Sequence, residues 1–156
     1  MESKTHARTP MSTLVKICSD STGKSIDPTL YRNMIESLLY ITASRPNIAF
    51  SVGVCARFQA KPKESHLTKV KRILKYLSAM VNYGIWYSRD SNLSLVGYSD
   101  VDWAGNADDR KSTIGGCFYV SSNLVAWMSK KQNFISLSTV EAEYIVAVVV
   151  AHSYIG

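Results

Sequence analysis

The sequence is poor in anything that would staple it. It has three cysteines, Cys18, Cys55 and Cys117, far apart and with no paired spacing. An odd count without a Cys-x-x-Cys step argues against both a disulfide framework and a zinc site, and the three read as reduced structural thiols. The histidines His6, His66 and His152 are equally scattered. They suggest neither a zinc site nor a Ser-His-Asp arrangement. No apolar run reaches the roughly 18–20 residues that span a bilayer. The most apolar stretch, Tyr144 to Ala151, is far shorter. Met1 to Arg8 is polar, contains Glu2 and lacks the apolar centre of a secretory signal. The expectation is an intracellular chain, in cytoplasm or nucleus, neither secreted nor in a membrane.

Acid is also scarce. Twelve Asp and Glu face eighteen Lys and Arg, a net charge of +6 over 156 residues. The excess is local. Arg57, Lys61, Lys63, Lys69, Lys71, Arg72 and Lys75 stand against one acid, Glu64, so this segment alone carries the whole surplus. A local basic stripe points to a polyanion better than a diffuse high pI does.

Periodicity divides the chain near residue 82. Residues 1–26 are rich in Ser, Thr and Lys, broken by Pro10 and Gly23, and read as a flexible lead-in. Asp27-Pro28 marks a helix start. Leu30, Met34, Leu38 and Ile41 share one face of that helix, widened by Tyr31, Ile35 and Leu39. Ser44-Arg45-Pro46 ends it, and a largely buried helix is expected from Ile48 to Phe58. Glu64 to Ser78 is the clearest helix. Leu67, Val70, Ile73, Leu74 and Leu77 lie on one arc, and Lys69, Lys71, Arg72 and Lys75 lie opposite. The basic face is either simply solvated or contacts phosphates, without base specificity and with strong salt dependence.

Beyond Asn82 the period shortens. Tyr83–Tyr87 and Leu93–Trp103 read as strands around an Asp90-Ser91-Asn92 turn. Thr113–Val120 and Leu124–Met128 read as two more, joined through Ser121-Ser122-Asn123. Ser138-Thr139-Val140-Glu141 has the spacing of a capped helix start. The helix that follows is weakened by Val146, Val148, Val149 and Val150, so burial must hold it. Asp100 and Asp102 alternate on one strand, and Glu141 and Glu143 open this helix. Carboxylates converging from a strand and a helix are what magnesium requires. Two such ions about 4 Å apart can cut a phosphodiester. Acids in a first helical turn also simply suit the helix dipole.

Tyr31-Arg32-x-Met34-Ile35-x-Ser37-Leu38-Leu39-Tyr40, Ser44-Arg45-Pro46, Lys71-Arg72-Ile73-Leu74-Lys75-Tyr76-Leu77 and Gly84-Ile85-Trp86-Tyr87 resemble the end of the reverse transcriptase region in copia-type retrotransposon Pol polyproteins. Gly97-Tyr98-Ser99-Asp100-Val101-Asp102-Trp103-Ala104-Gly105 resembles the first strand of that family's ribonuclease H domain. Asp109-Arg110-Lys111-Ser112-Thr113, Ser129-Lys130-Lys131-Gln132 and Leu137-Ser138-Thr139-Val140-Glu141-Ala142-Glu143-Tyr144 follow in the family's order. The resemblance covers residues 27–151.

It implies an α+β chain: a lead-in, 1–26; a helical segment, 27–82, resembling the end of a reverse transcriptase; and an incomplete ribonuclease H-like domain, 83–156, with a mixed sheet and one packed helix. It implies Asp100 and Glu143 as catalytic metal ligands, Asp102 and Glu141 as further ones, Mg2+ as cofactor in the complete domain, and an RNA–DNA hybrid as substrate. The basic residues Lys69, Lys71, Arg72 and Lys75 would contact nucleic acid. The chain departs from the family in three ways. Glu36 stands where a glycine is usual, no Tyr-x-Asp-Asp polymerase turn lies upstream, and the family's next catalytic Asp is not reached before Gly156. Little or no nuclease activity is therefore expected of this chain alone. Non-catalytic nucleic-acid binding through helix 64–78, or a relic with no selected role, are the alternatives.

Overall fold

The computed structural model describes residues 7–12, 16–89 and 94–155, with side chains to residue 150. The chain is α+β, with helices first and a sheet after them. It divides into two units, Met1–Gly84 and Ile85–Gly156.

In the first unit, helix α1 (Pro28–Thr42) starts where Asp27 accepts a hydrogen bond from the Thr29 N–H at 2.9 Å, with Pro28 in the first turn. Tyr31, Ile35 and Leu38 form its buried face. This is a correction to the expected stripe: Leu30 and Leu39 are 52% and 44% exposed. The face turned because Tyr31 is anchored, its hydroxyl donating to the Cys55 carbonyl at 2.9 Å. A 3-10 turn, Pro46–Ile48, leads into α2 (Ala49–Ala56), which buries Val52, Val54 and Cys55.

Helix α3 (Glu64–Ala79) buries His66, Val70 and Ile73 against these elements. Leu74, expected on the apolar face, is 42% exposed. A histidine takes its place in fixing the helix. His66 Nδ1 accepts from the Lys63 N–H at 3.0 Å, the role a Glu or Gln plays in a capping box. Its Nε2 is 2.9 Å from the Cys18 carbonyl, so the neutral ring with the proton on Nε2 satisfies both partners. Phe58 stacks on the ring, centroids 4.2 Å apart.

The lead-in has no regular element, yet it is fastened. Ile17 joins the core, Asp20 accepts from Ser65, the Glu64 N–H donates to the Lys24 carbonyl, and Ser25 bridges Lys63. The parts of it at residues 1–6 and 13–15 lie outside the described residues, as does the expected Asp90-Ser91-Asn92 turn.

In the second unit, β1 (Leu95–Asp102), β2 (Thr113–Val120) and β3 (Asn123–Lys131) form an antiparallel sheet in the order β1-β2-β3. The segment Tyr83–Tyr87, expected as a strand, is not one. Its Tyr83, Trp86 and Tyr87 are exposed, so aromatic composition alone did not find a partner strand. Ser88 is instead tied to Asn123, which accepts from its N–H at 2.7 Å. Helix α4 (Thr139–Ile155) covers the face of Ile114, Gly116 and Phe118 with Ala142 and Val146. A Cβ on Gly116 would lie 3.2 Å from Met128 Cγ of β3, a tight contact, and 3.5 Å from Val150 Cγ2 of α4, an ordinary one.

Two stability measurements test this packing. His66→Leu keeps the volume but removes two hydrogen bonds to part-buried backbone groups, at about 0.5–1.5 kcal/mol each. Urea titration is expected to show a loss of about 1–3 kcal/mol with unchanged m; a neutral effect would refute the double anchor. Gly116→Val is expected to cost about 1–3 kcal/mol through overpacking. Gly115→Val, whose added Cβ meets nothing within 4 Å, is expected to cost less. Equal costs would mean that Met128 does not press on Gly116.

Candidate functional site

The four acids singled out by pattern are placed by two elements. In β1, Asp100 pairs with Gly115 and Val101 with Ile114. Side chains alternate across a strand. Val101 therefore shares the α4-covered face with Ile114, and Asp100 and Asp102 occupy the opposite face. Asp100 is exposed, and its Oδ1 accepts from the Val101 N–H at 2.8 Å. Asp102 folds onto the turn that follows: a Cβ on Gly105 would fall 1.7 Å from Asp102 Oδ2. A side chain there would require this exposed carboxylate to swing aside.

On α4, Glu141 caps the helix. Its Oε2 accepts from the Leu137 N–H at 2.7 Å, and its own N–H donates to Ser138 Oγ at 3.1 Å. Glu143 is exposed beside the buried Ala142 and makes no hydrogen bond among the described residues. Among those residues no three His, Cys, Asp or Glu side chains gather to hold one metal ion. Asp100 thus faces away from the helix that carries Glu143, and Glu141 has local structural work in the helix cap.

The basic nominees on α3 also differ from one another. Lys71 and Lys75 are exposed. Lys69 is half-buried, close enough to Cys55 to act on its thiol, although burial dominates there and pushes that thiol up to about 12. Arg72 reaches back to the lead-in: Nε donates to the Thr9 carbonyl at 3.1 Å and Nη2 to Thr9 Oγ1 at 2.9 Å. Sequence reasoning could not see this contact, since Thr9 lies in a segment without period.

Comparison with known proteins decides the family. The chain is 43% identical over 136 residues, 87% of its length, to a retrovirus-related Pol polyprotein from transposon RE1 of Arabidopsis thaliana. It is 42% identical over 118 residues to one from transposon TNT 1-94 of Nicotiana tabacum. It is also 39% identical to the secreted RxLR effector protein 161 of Plasmopara viticola, covering 81% of that protein. The chain belongs to the copia-type Pol polyprotein family. It spans 9% of the length of each of these two polyproteins. No family model matches it, and no solved structure does. Among the described residues no helix is long and apolar enough to cross a membrane.

Beside the acids of this Pol-family segment, Asp109 bonds Lys131 Nζ at 2.6 Å. Burial works to raise the Asp109 carboxyl, but the hydrogen bonds and charge of Lys131 and Lys111 outweigh it and hold the group below the ordinary range. A carboxyl lowered by folding contributes stability above its unfolded value, about 3.9, and loses it as pH falls through the folded value. Lys131→Met is therefore expected to flatten the acid limb of a stability–pH profile below about pH 4. An unchanged limb would show that the ion pair contributes nothing.

Proposed function

We propose that the chain is a piece of the reverse transcriptase–ribonuclease H region of a copia-type Pol polyprotein. In the complete protein this region would hydrolyse the RNA strand of RNA–DNA hybrids with Mg2+. One observation carries the reading: the motifs that hold Asp100 and Glu143 follow the family's order in a chain whose similarity to transposon Pol polyproteins extends over 87% of its length. Magnesium would supply an activated water and charge for the leaving oxygen. The acids described here do not fit a finished site of that kind. Asp100 accepts from the next backbone N–H, Glu141 serves a helix cap, and no three acids converge. No metal step is therefore assigned to this chain. It cuts weakly or not at all by itself, and works inside a cell, in cytoplasm or nucleus.

A second reading, non-catalytic binding of nucleic acid, is favoured by Lys71 and Lys75, both exposed on the same side of α3. Such contacts would be to the backbone, salt-sensitive and indifferent to base sequence.

One set of assays separates the readings. With magnesium and a labelled RNA–DNA hybrid, the full chain is expected to give little or no cleavage. Robust cutting abolished by Asp100→Asn would overturn that expectation. In the same buffer, Lys71→Glu with Lys75→Glu is expected to weaken hybrid binding and reduce its salt slope by about two. An unchanged slope would end the binding role of α3.

A further inference from the structure

The lead-in meets α3 at an exposed hydroxyl. Thr9 lies in a bend, in neither helix nor strand, and is open to solvent. Arg72 grips it twice: Nε donates to the Thr9 carbonyl at 3.1 Å, and Nη2 donates to Oγ1 at 2.9 Å. The bond to Oγ1 takes one of the five N–H donors of a guanidinium, a group whose fork suits a phosphate or carboxylate better than a neutral hydroxyl.

The helix around Arg72 is set for an anion. Lys69 and Lys75 stand three residues to either side, the spacing at which helical side chains are neighbours. Lys75 is exposed and Lys69 half-buried. After Glu64 the sequence has no acid before Asp90, so no carboxylate of α3 beyond its first residue neutralises these cations. Arg8 adds another cation beside Thr9 in the chain.

The sequence also marks Thr9 out. The chain has four prolines, Pro10, Pro28, Pro46 and Pro62, and the last three follow Asp27, Arg45 and Lys61. Thr9-Pro10 is thus the one place where a hydroxyl-bearing residue precedes proline. Proline has a fixed φ and no N–H, so a groove shaped for it after the acceptor selects against other residues.

We propose that Thr9 is a phosphorylation site for a proline-directed protein kinase, and that Arg72 receives the phosphate. Thr9 Oγ1 attacks the γ-phosphorus of a nucleoside triphosphate. The new O–P bond forms as the bond to the β–γ bridging oxygen breaks. The hydroxyl proton passes to the base of the kinase, and the nucleoside diphosphate leaves. Transfer requires Thr9 to part from Arg72, and both bonds are solvent-exposed, so water can replace them. The product carries roughly −1.5 to −2 charges at pH 7 and three acceptor oxygens. These stand one bond beyond the atom that Arg72 already holds. A charge-assisted, forked pair replaces a neutral contact, and the lead-in becomes locked to α3. The junction lies within one unit, and the inference holds whether or not α3 contacts nucleic acid.

The full chain is incubated with a proline-directed kinase, Mg2+ and ATP. Mass spectrometry is expected to find phosphate on Thr9 and none on the Thr9→Val chain. In 31P NMR the second ionisation of the phosphate, ordinarily near pH 6, is expected at lower pH than in the phosphorylated Arg72→Gln chain, because the cation favours the dianion. Amide exchange at Thr9 and Met11 is expected to slow on the order of tenfold on phosphorylation, the scale of one hydrogen bond to a charged group. In Arg72→Gln it is expected not to slow. Arg72→Lys keeps the charge without the fork and is expected to fall between the two. A chain left unmodified at Thr9, while a Thr-Pro peptide in the same tube is modified, overturns the site. A phosphate that titrates alike in wild type and Arg72→Gln, with equal amide exchange, overturns its capture by Arg72.

Discussion

The pairing of Val101 with Ile114, and so of Asp100 with Gly115, sets which side of the sheet each acid can reach. A strand has a period of two, and a slip of one residue would exchange every side chain between faces. Here the register is pinned by burial. Ile114 and Phe118 are buried on the face where Val150 of α4 meets Gly116, and a slip of one residue would put Asp100 and Asp102 there instead. The same parity sends Tyr98 and Tyr119 to the open face, where their rings meet edge to face at 5.8 Å. The acids therefore stand at the end of an aromatic surface and not in the core between sheet and helix.

A comparable constraint governs the basic helix. The ring of His66 takes one backbone group from each of two segments, and this docks the start of α3 against the lead-in. Once the lead-in lies there, Thr9 can reach Arg72. Of the stripe that made α3 look like a phosphate surface, Lys71 and Lys75 are the residues left exposed. Hydrogen bonds to the neutral Thr9 leave Arg72 its charge but occupy donors that would otherwise reach a phosphate.

The parts of the fold that depend on local chemistry were legible. Asp27-Pro28 and Ser138-x-x-Glu141 start helices where their spacing indicates, because capping is decided within four residues. The burial of Ile114 and Phe118 in β2 follows from alternation. Legibility failed where a distant residue decided the outcome. The hydroxyl of Tyr31 finds Cys55 and rotates the buried face of α1 away from Leu30. Tyr83–Tyr87 has strand composition but no partner strand. The role of Glu141 needed coordinates as well. It has the residue type and spacing of a ligand, and only the N–H of Leu137 reveals what its carboxylate does.

Helix α4 links the stability of the sheet to the placement of Glu143. Its sequence is apolar on nearly every side, with Val140, Tyr144 and Val148 exposed while Ala142 and Val146 are buried. A run rich in valine has low helix propensity, so the contact with the sheet must hold it. Val150 reaches ordinary contact distance above Gly116. Glu143 lies one residue from the buried Ala142 and has no hydrogen bond of its own among the described residues. Its position is therefore inherited from the seating of the helix. Asp100 is fixed by the ladder of β1, and Glu143 by packing alone. Of the two acids, the helical one is the more easily lost to a change far from it.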